Sequence, residues 1–320
     1  MTRWLPGYKY RKKLTATASG TNATDYQVLW RVYYVAGTDA TNQVFLNGKS
    51  KVDLSDVRFT LDDGYTTLPF WVEHPEITGN GFNVWVRIPS VATTGTGVYL
   101  YYGRDSVATA SNGALTFPFF DDFEGSALDT GKWTQRPSTT STIGSSLNRV
   151  RVTASSGEDK GINSIATFGQ NYSFRGYGAF QHGTNLYPLV GFSGYSDSKK
   201  EVIYSDNTNF RIQSYDGTNN SVANILTKDT NYHIFEVFRN GSTSVIGYVG
   251  TSTNSVNTYL TNSNQYVVAG GQIGAEGLTT DITFDWILVR SYVATEPTCT
   301  VSGIEERNTL KPILQQGWRL

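Results

Sequence analysis

Short segments in which apolar and polar residues alternate, separated by turn residues, constrain the fold of this chain more than any other feature. The segment 82–88 places Phe, Val, Val and Ile at every second position, with Asn, Trp and Arg between them. Residues 232–239 and 244–249 form two further runs around Asn240-Gly241, a dipeptide that favours tight hairpin turns. Because alternation with a period of two puts apolar side chains on one face, the pattern predicts sheets with one buried face.

Composition and length extend this pattern to the whole chain. Aromatic residues make up 13% of the 320 residues, and long runs of Ala, Leu, Glu and Lys are missing, which favours strands over helices. A chain of this length is about twice the usual size of one domain. We therefore predict an all-β protein with two β-sandwich domains of jelly-roll type. The predicted strands are 8–17, 26–34, 57–61, 68–73, 82–88, 98–103, 148–153, 172–181, 189–193, 201–205, 209–214, 232–239, 244–249 and 282–289.

A small polar segment, residues 105–113, separates the two predicted domains. The first domain is predicted at residues 1–117 and the second at residues 118–295. Residues 296–320 are predicted to form a tail or an assembly arm, with a short helical segment around 304–313.

Charge, cysteine content and hydropathy exclude several kinds of partner and site. The 26 basic and 27 acidic side chains give a net charge of −1, so no global positive field attracts nucleic acid. The single cysteine, Cys299, excludes an internal disulfide bond and a cysteine-based zinc site. No run of about 18 apolar residues occurs, so membrane insertion is not expected.

The N-terminal residues lack the apolar core of a signal peptide. Two interpretations stay open: a secreted protein in its mature form, or a protein that is made and assembled in the cytoplasm, as virion components are. Because the sequence begins with Met1, the second interpretation is favoured. The expected location is a virion, or else the extracellular space or a cell surface.

Six segments of the first domain occur in a recognisable order. They are residues 4–15, 25–28, 53–60, 68–73, 84–89 and 99–103. Together they resemble an uncharacterised domain family that occurs mainly in large archaeal and bacterial surface or secreted proteins, usually beside sugar-binding or sandwich modules. The resemblance implies a surface or secreted context and no defined biochemical role.

The second domain begins and ends with recognisable stretches. It opens with Phe-Asp-Asp-Phe-Glu-Gly at 120–125 and Leu-Asp-Thr-Gly-Lys-Trp at 128–133, and it ends with Phe-Asp-Trp-Ile-Leu-Val-Arg at 284–290. These stretches look like the opening and closing strands of a concanavalin A-like jelly roll, a superfamily that includes legume lectins, laminin-G-like modules and laminarinase-type glycoside hydrolases. The resemblance implies the fold and leaves binding and enzymatic functions open.

Carboxylates on predicted strands are the candidates for catalysis. Laminarinase-type enzymes carry a Glu-x-Asp-x-x-Glu strand, whose alternation holds the nucleophile and the acid/base about 5.5 Å apart on one face. This sequence contains no such strand. Neither Glu201 nor Glu236 has a second carboxylate on its predicted strand, so we interpret both as structural side chains. A catalytic pair that converges from different strands stays an open alternative.

A structural calcium ion is the one cofactor that the jelly-roll resemblance implies, and no cofactor is required. Such sandwiches often bind calcium between the entry of the chain and the last strand, through carboxylate and backbone oxygens. The resembling positions are Asp122 and Asp285, to which Glu158 and Asp159 could add ligands. In the alternative interpretation, Asp285 caps a turn or bonds to the backbone.

Sugar binding needs aromatic faces that stack on pyranose C–H surfaces, beside polar side chains that bind hydroxyls. The predicted concave sheet of the second domain offers such residues, each of which is alternatively a core or edge residue. The candidate glycan-binding residues are Arg175, Tyr177, Phe180, His182, Asn185, Tyr187, Tyr195 and Tyr204. In the first domain, Trp71, Trp85 and Tyr101 alternate with apolar residues and are expected in the core.

These patterns predict a non-catalytic structural or adhesive protein. It would be a virion component, such as a tail, fibre or capsid decoration, or a secreted surface protein, with a glycan as its expected ligand. Its expected partners are copies of itself, other surface or virion proteins, and cell-surface polysaccharide. The alternatives are a glycoside hydrolase or lyase on the same jelly roll, and a pure assembly protein whose residues 296–320 cross to a neighbour.

Overall fold

The structure is a computed structural model that describes residues 3–136, 139–144, 149–155, 160–181, 186–194, 198–273 and 279–309. The chain divides into two compact units. One unit contains the residues up to Thr116 together with those from Glu296 onward, and the other is Phe117–Thr295.

Nearly all regular elements in the described part of the chain are strands. In chain order they are β1 Tyr10–Thr17, β2 Ala23–Tyr33, β3 Gln43–Phe45, β4 Arg58–Leu61, β5 Thr67–Leu68, β6 Phe70–Ile77, β7 Gly81–Val91, β8 Thr96–Tyr102, α1 Gly113–Thr116, β9 Phe119–Asp121, β10 Trp133–Gln135, β11 Thr139–Gly144, β12 Arg149–Ser155, β13 Lys160–Phe168, β14 Tyr172–Gln181, β15 Leu186–Ser193, β16 Lys200–Ser205, β17 Asn209–Tyr215, β18 Asn220–Thr227, β19 His233–Asn240, β20 Ser244–Val249, β21 Ser252–Val256, β22 Gln265–Ile273, β23 Thr279–Ser291, β24 Thr298–Val301 and β25 Glu306–Arg307.

The first unit is a sandwich of two sheets. One sheet has the strand order β24-β1-β8-β4-β5, with β25 also paired to β1, and the other has the order β3-β2-β7-β6. Their inner faces meet in one apolar cluster, to which the alternating residues Val84, Val86 and Ile88 of β7 contribute. The alternation in this segment therefore buries one face of β7, as the sequence predicts.

Trp71, Trp85 and Tyr101 are buried but lie outside that main cluster. Trp71 and Trp85 are opposite each other in β6 and β7, and Nε1 of Trp85 donates a hydrogen bond to Glu73 at 2.7 Å. Tyr101 belongs to a separate small cluster of aromatic residues. Because each of the three alternates with inward-facing residues, each points to the other face of its sheet.

Residues 298–307 pair with the first strand of the chain. Both β24 and β25 run antiparallel to β1, and Arg11 of β1 forms an ion pair with Glu306 at 2.7 Å. The sequence separates residues 296–320 as a tail and predicts a helix around 304–313, whereas Glu306–Arg307 is a strand; residues from 310 onward lie outside the described residues. The physical reason is that β8 pairs with only one side of β1, so the other side offers free N–H and C=O groups.

Cys299 of β24 points into the main apolar cluster of the first unit. Its side chain is buried, and burial raises the pKa of its thiol to about 12. Since the thiolate is the reactive form of cysteine, this thiol is protected as long as β24 stays paired.

We expect Cys299 to react very slowly with a thiol-specific reagent at pH 8 under native conditions. A raised pKa of about 12 lowers the thiolate fraction on the order of a thousandfold relative to an ordinary thiol. A colorimetric disulfide-exchange assay, run with and without urea, measures the effect. Rapid labelling of the native protein would contradict the described docking of β24.

The second unit is a sandwich of two larger antiparallel sheets. The seven-stranded sheet has the order β10-β13-β22-β15-β16-β17-β18, and the eight-stranded sheet has the order β11-β12-β23-β14-β19-β20-β21, with β9 paired to β23. The predicted hairpin is present as β19 and β20, joined by the three residues 241–243, with Gly241 at a φ of 55°. The two inner faces share one apolar cluster rich in phenylalanine.

These two sandwiches confirm the predicted all-β class. Each unit has two sheets, and the inner faces of the two sheets share a core. In the part of the chain that the structure describes, no helix is long and apolar enough to cross a membrane.

A buried ion pair joins the two sheets of the second unit. Arg239 lies on β19 of the eight-stranded sheet, and its partner Glu201 lies on β16 of the seven-stranded sheet. The guanidinium also donates to the backbone oxygens of Phe168, Gly169, Thr261 and Ser263, at 2.7 to 3.2 Å. The backbone N–H of Thr261 in turn donates to Glu201 at 2.9 Å. The network therefore holds two loops against the core.

Replacing Arg239 by Met should lower the free energy of unfolding of the second unit by about 3–5 kcal/mol. The substitution leaves the Glu201 carboxylate buried without its cation, which is the costly way to break such a pair. The double variant Arg239→Met, Glu201→Leu should lose less, because it removes both charges. Urea unfolding followed by fluorescence measures both, with Lys199→Ala, an exposed residue, as control. A loss below 1 kcal/mol for Arg239→Met would contradict the role of the network.

Candidate functional site

Strand alternation defines which side chains of the seven-stranded sheet point away from the core. Val190, Ile203 and Ile212 belong to the apolar cluster between the sheets, so their neighbours in β15, β16 and β17 point to the opposite side. We call this side the outer face. It carries Thr134, Arg136, Asn163, Tyr187, Leu189, Lys200, Val202, Tyr204, Arg211, Gln213, Tyr215, Tyr266 and Val268.

An apolar patch lies on the three middle strands of the outer face. It consists of Leu189, Val202 and Val268, which are buried and form a cluster separate from the core, against which Tyr204 packs. The ring of Tyr187 lies beside that of Tyr204, with 6.4 Å between the centroids and 54° between the planes. Two partly exposed tyrosines thus lie beside this apolar patch.

Arg211 supplies a positive charge next to the tyrosines. It is opposite Tyr204 in the pairing of β16 with β17, and its Nε lies 2.6 Å from Oδ2 of Asp206. Burial raises the pKa of the Tyr204 hydroxyl above its ordinary value, and Arg211 partly offsets this rise. Tyr204 is therefore a neutral phenol at physiological pH, so its hydroxyl can both donate and accept hydrogen bonds.

Asp206 is fixed in the turn between β16 and β17. Burial alone would raise the pKa of this carboxyl, but hydrogen bonds from the backbone N–H groups of Thr208 and Asn209, together with Arg211, hold the pKa below its ordinary value. Asp206 is consequently ionised at neutral pH and keeps Arg211 in place beside Tyr204.

A pocket of about 230 Å³ lies at the β10 edge of the same face. Its lining residues are Thr134, Gln135, Arg136, Asn163, Ser164, Ile165 and Tyr266. Nε of the buried Arg136 donates to Oδ1 of Asn163 at 3.2 Å. The pairing of β13 with β22 shifts register between Asn163 and Thr167, so β13 is irregular where it lines the pocket.

The predicted glycan-binding residues do not form one group. Tyr187 and Tyr204 lie together on the outer face, whereas Arg175 and Tyr177 lie on β14 of the other sheet. Arg175 forms an ion pair with Glu236 at 2.6 Å, and Tyr177 packs near Tyr232 and Trp286 with centroid distances of 5.2 and 6.4 Å. His182, Asn185 and Tyr195 lie outside the described residues.

Phe180 is a core residue, which corrects its assignment to a glycan-binding surface. It has no exposed surface, and its ring stacks on Phe235 with 4.6 Å between the centroids. Tyr177 and Phe180 are three positions apart in one strand, so alternation sends them to opposite faces. The local register shift does not change this result, because the extra residue, Asp285, is on the partner strand β23.

Both candidate carboxylates are engaged by arginine side chains. Glu201 lies in the core of the second unit with Arg239. Glu236 lies 2.6 Å from Arg175 and 3.4 Å from Arg290. The surroundings of both side chains are therefore those expected of structural residues.

Asp122 and Asp285 are the positions at which calcium is predicted. Oδ1 of Asp285 lies 3.3 Å from Nε of Arg149, and a guanidinium at this distance competes with a metal ion for the carboxylate. Within the described ranges, no three His, Cys, Asp or Glu side chains are grouped so as to hold a metal ion. Glu158 and Asp159 lie outside those ranges. Calcium at this place stays a prediction.

Sequence reasoning missed four side chains of the outer face. They are Arg136, Asn163, Arg211 and Tyr266. Arg211 and Tyr266 had a local signal, since each sits beside inward-facing apolar residues in an alternating strand. Arg136 and Asn163 had none, because they meet only through the pairing of β10 with β13.

Comparison with solved structures gives weak similarities to proteins described as glycosyl hydrolases or glucanases. A family 16 protein from Mycobacterium smegmatis is 15% identical, with a TM-score of 0.42, and the match covers 54% of this chain and 99% of that chain. The Bacillus licheniformis β-glucanase is 16% identical, with a TM-score of 0.43, covering 54% and 97%. Rv0315 of Mycobacterium tuberculosis, described as an immunostimulatory antigen and pseudo β-1,3-glucanase, is 14% identical, with a TM-score of 0.41, covering 55% and 98%.

Comparison by sequence finds a family match within this chain. No curated protein matches this chain. The matched region covers the second half of the first unit and continues past Thr116 into the start of the second unit. At residues 53–136, this chain matches the family described as Domain of unknown function (DUF2341), in agreement with the resemblance of its first segment to an uncharacterised domain family.

Proposed function

We propose that the second unit binds polysaccharide on the outer face of its seven-stranded sheet, and that the chain is a non-catalytic structural or adhesive protein. The observation that carries this proposal is the pair Tyr187 and Tyr204 beside the apolar patch, with Arg211 next to Tyr204. These groups provide the two kinds of contact that a sugar needs.

The apolar contacts come from the partly exposed rings of Tyr187 and Tyr204. Sugar rings present C–H surfaces that pack on aromatic faces, and Tyr side chains lose little conformational entropy when they bind. The ring of Tyr204 packs against the patch formed by Leu189, Val202 and Val268. Because the strands under it are paired on both sides, the platform is formed before the ligand arrives.

The polar contacts come from the side chains around the rings. The neutral hydroxyl of Tyr204 and the guanidinium of Arg211 together offer donors and an acceptor to sugar hydroxyls. Gln213 adds an amide group on the same face. This combination is typical of sites that hold a polar ligand through a few placed hydrogen bonds over an apolar base.

The environment of the candidate carboxylates supports binding without catalysis. Glycoside hydrolysis needs two carboxyl groups that both reach the glycosidic bond. Glu201 lies in the core against Arg239, and Glu236 is held by two arginines on the other sheet. A hydrolase or lyase would therefore need a different pair, and that alternative is tested with the binding measurement.

Tyr187→Ala and Tyr204→Ala should each weaken polysaccharide binding by about tenfold or more, equivalent to about 1.4 kcal/mol, because each removes a stacking surface. Affinity electrophoresis in gels that contain soluble polysaccharides measures the change. Tyr259→Ala, a partly exposed tyrosine of the same unit outside this sheet, is the matched control.

Two results would overturn this proposal. Equal retention of the tyrosine variants and the control on every polysaccharide would remove the outer face as the binding site. Release of reducing ends or of unsaturated products by the unchanged protein would instead make the chain a hydrolase or lyase.

We further propose that the chain acts in a virion or at a secreted surface, together with copies of itself or other surface proteins. Its edge strand β21 supports this proposal, because it carries mainly polar uncharged side chains that keep an exposed sheet edge soluble. Residues 298–307 are already paired within the chain, so any connecting arm should begin after Thr309.

Truncation after Thr309 should convert a defined oligomer to a monomer while leaving the unfolding temperature unchanged, because all described pairings of β24 and β25 are kept. Light scattering gives the mass, and truncation after Thr295 is the comparison, since it also removes both strands. A full-length chain that is monomeric would contradict assembly through this arm.

A further inference from the structure

A lysine of the first unit points into the space between its two sheets. Lys12 lies on β1 two residues before Leu14, which belongs to the main apolar cluster, and opposite Leu100 of β8 in the same cluster. Alternation therefore directs its side chain inward, where it is 4% exposed. The neighbouring Lys13 points to the other face, and its side chain is 37% exposed. A lysine is almost never buried to the extent of Lys12 without a partner.

The partner of Lys12 comes from the other sheet of the same unit. Asp39 lies in the connection between β2 and β3, and Nζ of Lys12 is 2.9 Å from its Oδ1 and 2.7 Å from its Oδ2. Because both carboxylate oxygens contact the nitrogen, Cγ of Asp39 also lies about 3–3.5 Å from Nζ, the separation of a near-attack arrangement. An amine and a carboxyl carbon thus meet between the two sheets.

The backbone of Phe45 in β3 holds both groups. Its carbonyl oxygen accepts a hydrogen bond from Nζ of Lys12 at 2.6 Å, which orients the nitrogen. Its N–H donates to Oδ1 of Asp39 at 2.8 Å. A backbone N–H at this oxygen stabilises the negative charge that develops there when a nucleophile adds to the carboxyl carbon. The arrangement therefore contains a nucleophile, an electrophilic carbon and an oxyanion donor.

A second carboxylate, that of Glu305, supplies a base near the pair. Burial alone would raise the pKa of this carboxyl, but hydrogen bonds from Lys49 and Tyr102, together with the charges of Lys49 and Lys12, hold the pKa below its ordinary value. The hydroxyl of Tyr102 donates to Oε2 of Glu305 at 2.5 Å, and burial raises the pKa of that hydroxyl, so it stays protonated. Glu305 is consequently ionised at neutral pH, and it lies within the field of the Lys12 amine.

We infer that Lys12 and Asp39 condense to an intramolecular isopeptide bond that links the two sheets of the first unit. Nζ first transfers one proton to the carboxylate of Asp39 and then forms a bond to its Cγ. Glu305 accepts a second proton from the nitrogen and passes it to the departing hydroxyl, and the Cγ–O bond breaks. An ammonium and a carboxylate thus become one amide and one water molecule, so the step needs no oxidant, reductant or other co-reactant.

Burial favours the amide over the ion pair. Charged groups lose their hydration in an apolar core, and a buried ion pair regains that loss only in part, whereas an amide carries no net charge. The fold also holds the two groups together, which raises their effective concentration. Lys13 and Asp62 form a pair at 2.9 Å with exposed side chains, and this hydrated pair is expected to stay ionic.

The link would close a loop from residue 12 to residue 39. Such a cross-link restrains the unfolded chain and holds β1 against the opposite sheet even when hydrogen bonds between strands break. This property suits a structural or adhesive protein that carries load. The inference goes beyond the proposed function, because the link does not depend on polysaccharide binding by the second unit.

Mass spectrometry of the purified, denatured full-length chain tests the inference without any variant. The chain should be lighter than its sequence by one water molecule, and trypsin should release a branched peptide that joins residues 12–13 to residues 32–49. A chain with the full mass of its sequence would overturn the inference. A loss of water that maps to a succinimide at Asp63-Gly64 or Asp216-Gly217 would overturn it as well.

Four variants assign the roles. Lys12→Met and Asp39→Ala should each have the full mass of their sequences, because each removes one reacting group. Lys13→Met, which alters the exposed pair, is the matched control and should still lack one water molecule. Glu305→Gln keeps both reacting groups and should slow the condensation by about a hundredfold, so that freshly purified protein contains unlinked chain. Complete linkage in fresh Glu305→Gln protein would overturn the role of Glu305.

Discussion

The second unit depends on a charged pair that crosses its own core. Arg239 and Glu201 come from different sheets, and the same guanidinium binds the backbone of the loops near Phe168 and Thr261. A buried charge costs stability unless it is paired and all of its donors are used, and here five contacts meet that demand. Glu201 sits on the inner side of β16, so Lys200 and Val202 beside it are directed to the outer face.

This arrangement links the stability of the core to the outer face, the surface proposed to bind polysaccharide. Every strand of the seven-stranded sheet contributes alternately to the core and to the outer face, so the apolar residues that pack inside determine which residues remain outside. Phe210 and Ile212 face inward, and Arg211 between them points to the outer face beside Tyr204. A change of one position in the register would bury the arginine and expose the core.

The carboxylates of the second unit fit the proposed binding role without catalysis. Glu201 stabilises the core, Glu236 neutralises two arginines of the other sheet, and Asp206 orients Arg211. Each acid is used to hold a cation in place. On the outer face, the rings of Tyr187 and Tyr204, the amide of Gln213 and the guanidinium of Arg211 are the groups of the proposed polysaccharide site.

The sequence by itself determined the features that depend on local periodicity. The period-two pattern located most strands, the all-β class and the inward residues of β7, and composition with patterning singled out Tyr187 and Tyr204. Alternation alone also separates Phe180, which lies in the core, from Tyr177 on the opposite face. The same alternation predicts that Arg211 points away from the core. These properties follow from the geometry of a single strand.

Only the tertiary structure decided which strands pair. It brought Arg136 to Asn163 through β10 and β13, joined Glu201 to Arg239 across the core, and returned β24 and β25 to β1 near the other end of the chain. The physical reason is that hydrogen bonds between strands are made by backbone groups that are the same in every residue. The choice of partner therefore comes from the packing of all the strands together, which no single segment of the sequence records.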